Sequence, residues 1–222
     1  MNMPSLVLFD IAGTLVADTG LTLKAYRSVL AEAALPCDPT WLRSRYGCKK
    51  NEVFSELLTQ ADRDESGADA LSREYTSTLE ALILESPPSI FPEVDRVFEE
   101  LQSAGCLIGL VTGFNASTAE QLRAAGNWSM DVIVGSDEVE RGRPSPDLVI
   151  EAMHRAGQSD PGHVACVGDT PRDLEMGDVA GCGWNIGVAT GSYTEEELLQ
   201  CPHTHVLQDL QDLPCLFIQR TS

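Results

Sequence analysis

Basic residues are scarce in this sequence of 222 residues. It has 15 Lys and Arg against 34 Asp and Glu, which gives a formal net charge of −19. Because nucleic-acid binding needs clustered Lys and Arg against the phosphates, this balance argues against a nucleic-acid partner. The excess of acid is typical of a soluble, self-repelling surface. It also implies that an anionic substrate must be attracted by a local feature, such as a bound cation.

Long apolar runs and closely paired cysteines are missing as well. The apolar stretch Leu6–Phe9 is interrupted at once by Asp10, so we expect no signal peptide, and no run is long enough to span a membrane. The seven cysteines are odd in number and none has CxxC spacing. This pattern favours reduced thiols over a disulfide framework or a zinc site. We therefore expect a cytoplasmic protein with no membrane partner.

Short apolar strands alternate with helical patterns over much of the chain. The predicted strands are 6–9, 107–111, 132–134, 164–167, 184–188 and 204–206, and the predicted helices among them are 94–104, 117–125, 147–156 and 173–180. This alternation indicates a parallel sheet with right-handed crossovers. Residues 17–86 show only helical spacing, broken by Pro and Gly. The prediction is a Rossmann-like α/β core, residues 1–16 and 87–222, with an all-helical insertion, residues 17–86, after its first strand.

Polar residues follow three of the predicted strands. The first strand ends in Asp10, the second in Thr112-Gly113 and the fourth in Gly168-Asp169, with Asp173 four positions later. Because ligands bind at the carboxyl ends of parallel strands, we expect these residues to meet at one edge of the sheet. Acids gathered there would repel one another unless a cation lay between them. Oxygen-only ligands favour Mg²⁺, so the sequence predicts a magnesium site.

The same residues match known motifs. Phe9-Asp10-Ile11-Ala12-Gly13-Thr14 resembles the first motif of the haloacid dehalogenase superfamily. Thr112 matches the second motif, Arg143 before Pro144 the third, and Gly168–Asp173 the fourth, in the order that the family has them and over nearly the whole chain. The helical insertion resembles the cap of that family. The resemblance implies a Mg²⁺-dependent hydrolase that acts on a small phosphorylated or phosphonate substrate.

The resemblance also implies a nucleophile and a set of metal ligands. Asp10 would attack phosphorus and form an aspartyl-phosphate intermediate. Mg²⁺ would be held by the other Asp10 carboxylate oxygen, the backbone carbonyl of Ala12 and Asp169. Asp173 would hold the metal directly or through its waters. The cation would then shield the anionic substrate from Asp10 and neutralise charge on the transferring group.

Other motif residues would hold the phosphoryl group. The groups that would contact its oxygens are the Thr112 side chain and the backbone N–H groups around Ala12, Gly13 and Gly113. Arg143 would stabilise the charge that spreads in the transition state. Arg141 is the alternative source of the same positive charge.

Ala12 departs from the commonest pattern of the superfamily. Most of its phosphatases carry there an Asp that protonates the leaving oxygen, which Ala12 cannot do. Asp10–Thr14 and Gly142-Arg143-Pro144 instead resemble the phosphonatase branch, typified by phosphonoacetaldehyde hydrolase. In that branch a cap lysine forms a Schiff base with the aldehyde, and Lys50 in Gly47-Cys48-Lys49-Lys50 takes its position. Tyr46 and Val53 stand where those enzymes usually have Met and His.

Several alternatives stay open at this point. Lys50 could be a solvated helix-face lysine, and the two lysines beside Cys48 would lower its thiol pKa if they are close. The enzyme could be a phosphomonoesterase whose proton donor comes from elsewhere or from water, or a metal-free dehalogenase. It could also be a non-catalytic binding protein on the same fold. Related phosphonatases are often dimers, which makes a homodimer a further expectation.

Overall fold

The computed structural model describes residues 3–217, and within them one sheet of six parallel strands forms the centre of the molecule. The strands are β1 (Leu6–Phe9), β2 (Leu107–Val111), β3 (Val132–Val134), β4 (Val164–Gly168), β5 (Trp184–Val188) and β6 (His205–Leu207). Their order is β3-β2-β1-β4-β5-β6, and every neighbouring pair is parallel. The predicted α/β fold is confirmed. The strand bounds agree with the prediction to within one residue, because strands buried on both faces read as plain apolar runs.

Helices surround the sheet and fill the insertion. They are α1 (Leu21–Glu32), α2 (Pro39–Arg43), α3 (Lys50–Gln60), α4 (Ala68–Glu85), α5 (Val94–Ser103), α6 (Ala116–Gly126), α7 (Asp147–Arg155), α8 (Pro171–Ala180), α9 (Glu195–Leu198) and α10 (Leu213–Phe217). The first four lie between β1 and β2. They pack around three aromatic rings, with Tyr26 4.5 Å from Tyr75 and 5.6 Å from Phe54 between ring centroids. These rings give the insertion a buried cluster that needs no strand.

The two segments that connect the helical insertion to the sheet run side by side. Val16 forms an antiparallel bridge with Ile90. The Ala17 N–H donates to the Ser89 carbonyl at 2.8 Å, and the Phe91 N–H donates to the Leu15 carbonyl at 3.0 Å. The chain therefore leaves and re-enters the core at one place. The division into separate domains at residues 16 and 87 stays a prediction.

Strand order decides where the predicted site residues lie. β1 is hydrogen-bonded to β2 on one side and to β4 on the other, with Phe9 opposite both Leu110 and Val167. The three strands therefore end at the same height, and the residues that follow them share one edge of the sheet. The chain direction of the connections reverses beside β1, which is where open α/β sheets form a crevice.

Two further expectations concern solubility and thiols. Among residues 3–217, no helix is long and apolar enough to cross a membrane. All seven cysteines lie in this range, and each has a free thiol, as the reduced-thiol prediction requires.

We expect Gly109→Ala to destabilise the fold by about 1–3 kcal/mol, because the change overpacks the sheet. A Cβ at this β2 position would stand 2.4 Å from Val132 Cγ1 and 2.7 Å from Leu8 Cδ2. Urea denaturation measures the loss. Gly67→Ala is the matched control, since its Cβ would meet only Leu58 Cδ1 at 3.6 Å. Equal free energies of unfolding for the two variants would contradict the packing argument.

Candidate functional site

A cavity opens at the carboxyl edge of the sheet, where β1, β2 and β4 end. Asp10, Thr112 and Asp169 line it from the sheet, and the helical insertion covers it with Tyr46 and Lys50. The cavity leaves about 450 Å³ of empty space, part of it open to solvent. Ala12, Gly13, Gly113, Arg143 and Asp173 lie in or directly against the same site. The side chains that follow these three strands therefore share one cavity, where the sequence pattern predicted that they would meet.

Arg143 is the central cation of this site. Its fully buried guanidinium places Nη1 2.7 Å from Asp10 Oδ1 and 2.9 Å from Asp173 Oδ1. Its Nη2 donates to the Val111 carbonyl at 2.6 Å. Burial alone would lower the pKa of Arg143, but the carboxylates of Asp173 and Asp10 outweigh it and raise the pKa. Arg141, the alternative source of positive charge, lies on the surface and pairs with Asp147.

Asp169 lies in a tight backbone cradle. The Thr14 hydroxyl donates to Asp169 Oδ1 at 3.4 Å, and the Ser192 N–H donates to Oδ2 at 3.1 Å. Gly13 has φ +86°, and a Cβ there would stand 2.4 Å from Asp169 Oδ2. Only glycine fits this approach without strain. Burial, and then the charges of Asp10 and Asp173, raise the pKa of Asp169 well above its usual value.

Asp173 divides its two oxygens between the backbone and the site. Thr170 is the N-cap of α8, and its N–H and hydroxyl donate to Asp173 Oδ2 at 3.1 and 2.6 Å. Together with Pro171 at the first helical position, this capping box fixes where α8 starts. The other oxygen, Oδ1, is buried and accepts no hydrogen bond, although it forms the ion pair with Arg143.

The donor set suits a hard divalent cation. Burial raises the pKa of Asp10 to about 6 despite the opposing charge of Arg143, and the charge of Asp173 adds to this rise. The charges of Asp10 and Asp173 also raise the pKa of Asp169. One more positive charge would relieve this repulsion, and Asp173 has a buried oxygen without a hydrogen bond. No three Asp, Glu, His or Cys side chains between residues 3 and 217 form a metal-binding group by themselves. A magnesium ion held by Asp10 and Asp169 would therefore need the Ala12 carbonyl and waters as well.

Lys50 is the residue that the helical insertion brings into the site. It is only 3% exposed, its ammonium donates to the Cys48 carbonyl at 2.9 Å, and it lies 5.9, 5.6 and 5.8 Å from the ring centroids of Tyr26, Tyr75 and Phe114. Burial lowers the pKa of Lys50 to about 8. The alternative of a solvated lysine is therefore wrong. Lys50 lowers the pKa of the Cys48 thiol, as its position in the sequence suggested, but burial raises this pKa more, so the net shift is upward.

The cavity also includes residues that the sequence did not indicate. Asp18, Thr22, Phe114, Thr170 and Ser192 all line it. Ser192 lies in the loop that follows β5, four positions after Val188, so the rule that ligands bind at strand ends could have pointed to this loop. Asp18 and Thr22 lie at the start of the helical insertion, where no strand marks a binding edge.

Hydrolases are among the known proteins that resemble this chain in sequence or in structure. The model of haloacid dehalogenase-like hydrolases matches residues 4–181. A protein of Dickeya dadantii named probable phosphatase IndB is 32% identical over 88% of this chain and 86% of its own length. Phosphonoacetaldehyde hydrolase of Bacteroides fragilis is 26% identical over 95% and 94%. The structure of a phosphonoacetaldehyde hydrolase-like protein from Oleispira antarctica superposes with a TM-score of 0.84 at 18% identity, covering 97% of this chain and 93% of that one.

We expect saturating Mg²⁺ to raise the thermal unfolding midpoint by about 5 °C or more. Binding at a hundred times Kd adds about 2.7 kcal/mol, and each kcal/mol moves the midpoint of a chain of this size by about 2–4 °C. Asp169→Asn should abolish this shift. Without metal, the same variant should unfold at a higher temperature than wild type at neutral pH, because it removes a buried carboxyl group whose pKa is raised well above its usual value.

The metal-free gain should shrink as the pH falls, since Asp169 is then protonated in both the folded and the unfolded wild type. Asp178→Asn, an exposed position on α8, the helix that follows Asp169, is the matched control and should keep the Mg²⁺ shift. A full Mg²⁺ shift in Asp169→Asn would remove Asp169 from the ligand set.

Proposed function

This chain belongs to the haloacid dehalogenase-like hydrolases, and we propose that it cleaves the C–P bond of a small phosphonate that carries a carbonyl group. The reaction would use Mg²⁺ and an aspartyl-phosphate on Asp10. The observation that carries the proposal is the position of Lys50. Its amine, with a pKa lowered to about 8, lies buried in the same cavity as the Asp10 carboxylate.

Lys50 would activate the carbon side of the bond. At neutral pH about a tenth of a lysine with this pKa is the neutral amine, which is the nucleophilic form. The amine adds to the substrate carbonyl and loses water, which gives an iminium ion. The rings of Tyr26, Tyr75 and Phe114 lie where they can stabilise that cation through their faces. The iminium is an electron sink, so the departing carbon never carries a free carbanion.

Asp10 would then act on phosphorus. Its carboxylate attacks the phosphorus atom, the P–C bond breaks, and the bonding electrons pass into the iminium to give an enamine. A divalent cation would supply charge neutralisation on the phosphoryl oxygens. The Arg143 guanidinium, which contacts Asp10 Oδ1, would stabilise the charge of the transferring group. Water hydrolyses the aspartyl-phosphate and, after the enamine takes up a proton, releases Lys50.

Ala12 is compatible with this route. In ester hydrolysis the leaving oxygen needs a proton, which the commonest Asp at this position supplies. In C–P cleavage the leaving electrons enter the iminium first, so no acid is needed beside Asp10 during bond breaking.

A phosphomonoesterase is the second candidate, and relatives support it. The relative at 32% identity is named a probable phosphatase, and a phosphoglycolate phosphatase of Xanthomonas campestris is 30% identical over 82% of this chain. In that reaction Lys50 would stay protonated and hold an anionic part of the substrate. Water would have to replace the missing acid at Ala12.

The composition of the chain bears on its cellular location and its partners. We propose a cytoplasmic enzyme without a nucleic-acid partner, on the strength of its free thiols and its net charge of −19. The homodimer stays a prediction.

We expect sodium borohydride to inactivate the enzyme only when a β-carbonyl phosphonate is present, because reduction fixes the imine on Lys50. Peptide mass mapping should find the adduct there. The other lysines, Lys24 and Lys49, are built-in controls, since neither lines the cavity that holds Asp10. Lys50→Ala should lose at least a hundredfold in phosphonate turnover, whereas Lys24→Ala should keep it.

Asp10→Asn separates the two halves of this reaction. It should still form the trapped Lys50 adduct but release no phosphate, because the imine forms without the phosphorus nucleophile. If Lys50→Ala keeps full turnover and phosphate esters react faster than phosphonates, the phosphomonoesterase is correct.

The pH dependence should differ in sign between the two candidates. Imine formation needs the neutral amine, so kcat/KM for a β-carbonyl phosphonate should rise with pH and level off above about 8. Ester hydrolysis that uses the Lys50 charge should fall over the same range. The two candidates are distinguished by pre-steady-state and steady-state rates measured across this pH range. Lys50→Ala is the control, since its profile should lack the inflection near pH 8. A flat phosphonate profile would contradict the imine.

A further inference from the structure

The first turn of α3 touches the segment that leads into Arg143. Glu52 Oε1 accepts a hydrogen bond from the Gly142 N–H at 2.9 Å. Lys49 Nζ donates to the Val139 carbonyl at 2.6 Å. Lys50 lies between these two contacts in the sequence and lines the cavity from the same turn. One helical turn therefore carries the Lys50 amine and also holds the backbone next to Arg143.

The absence of a side chain at Gly142 makes this contact possible. A Cβ there would stand 2.4 Å from Lys49 Cβ and 3.0 Å from Glu52 Oε2. On the other side of Arg143, a Cβ at Gly47 would stand 3.2 Å from its Nη1 atom. The backbone of the helical insertion thus lies against both the guanidinium and the residue before it.

We propose that Glu52 is a positioning residue for Arg143. By accepting the Gly142 N–H, it fixes the residue before Arg143 and so sets where the guanidinium meets Asp10. A carboxylate acceptor makes this a charge-assisted bond, which is stronger than a bond to a neutral group. Because Glu52 and Lys50 share a turn, one placement of the insertion against the core brings the Lys50 amine into the cavity and fixes the residue before Arg143. This role rests on the proposed use of Arg143 in phosphoryl transfer.

A second contact between the insertion and the core provides the matched control. Arg43 on α2 forms two hydrogen bonds to Glu197, at 3.0 and 2.8 Å, and donates to the Ser192 carbonyl. This contact also ties the insertion to the core, but it involves the loop after β5 and not the segment before Arg143. Loss of either contact loosens the insertion, and only loss of the Glu52 contact frees Arg143.

The test compares Glu52→Ala, Glu52→Gln and Glu197→Ala. Three readouts are measured with Mg²⁺: amide hydrogen exchange of the peptide that covers residues 139–147, affinity for orthovanadate, and kcat and KM on the faster substrate class. We expect Glu52→Ala to speed exchange and to lower both vanadate affinity and kcat about tenfold, with KM little changed, because Arg143 acts on transition-state charge. Glu52→Gln should restore all three, since its amide oxygen still accepts the bond.

Several results would overturn the proposal. If Glu52→Ala speeds exchange but leaves vanadate affinity and kcat unchanged, the contact holds the backbone without positioning Arg143 for the reaction. Equal losses in Glu197→Ala would show a general effect of a loosened insertion, and equal losses in Glu52→Gln would exclude the hydrogen bond as the cause. Exchange and vanadate affinity do not depend on the substrate, so they report on Glu52 even if phosphonates prove not to be turned over. Exchange of β4 peptides checks that each variant is folded.

Discussion

The buried ion pairs of Arg143 with Asp10 and Asp173 are the interaction on which the site depends. Asp10, Asp169 and Asp173 are gathered by the ends of β1 and β4 and the start of α8, where burial disfavours the charged forms of Asp10 and Asp169. Arg143 opposes that effect at Asp10, whose pKa nevertheless rises to about 6, so this carboxyl group is mostly ionised at neutral pH. Desolvated ion pairs rarely add net stability. The arrangement is better understood as preorganisation for a charged substrate.

Two cations of different character serve this acidic site. The guanidinium of Arg143 stays charged, and a pKa raised by two carboxylates keeps it so. Lys50 has a pKa lowered by burial and can exchange a proton near neutral pH. The first comes from the core and the second from the helical insertion, so the permanent positive charge and the titratable amine are supplied by different parts of the chain. Tyr26 and Tyr75, whose pKa values burial raises, remain neutral neighbours of Lys50.

The sequence predicted what depends on local pattern. Apolar runs gave the strands to within one residue, and the rule that parallel strands end at one edge brought Asp10, Thr112 and Asp169 together. Only the family resemblance singled out Lys50 from Lys49, because local pattern does not show which lysine is buried. Both ammonium groups donate to backbone carbonyls, and packing places only Lys50 in the cavity that holds Asp10. The net rise in the pKa of Cys48 could not be predicted either, because desolvation is a property of the folded surroundings. The buried partners of Arg143 also depend on tertiary packing.

The side-by-side pairing of Val16 with Ile90 has an evolutionary consequence. Because the insertion starts and finishes at one point, removing or exchanging it would leave the ends of the core already joined by hydrogen bonds, with almost no loop to close. A gene for such a core can acquire a different recognition segment at this junction while the sheet and its nucleophile keep their places. Substrate range can therefore diversify by recombination at one surface position, without any change to the phosphoryl-transfer machinery.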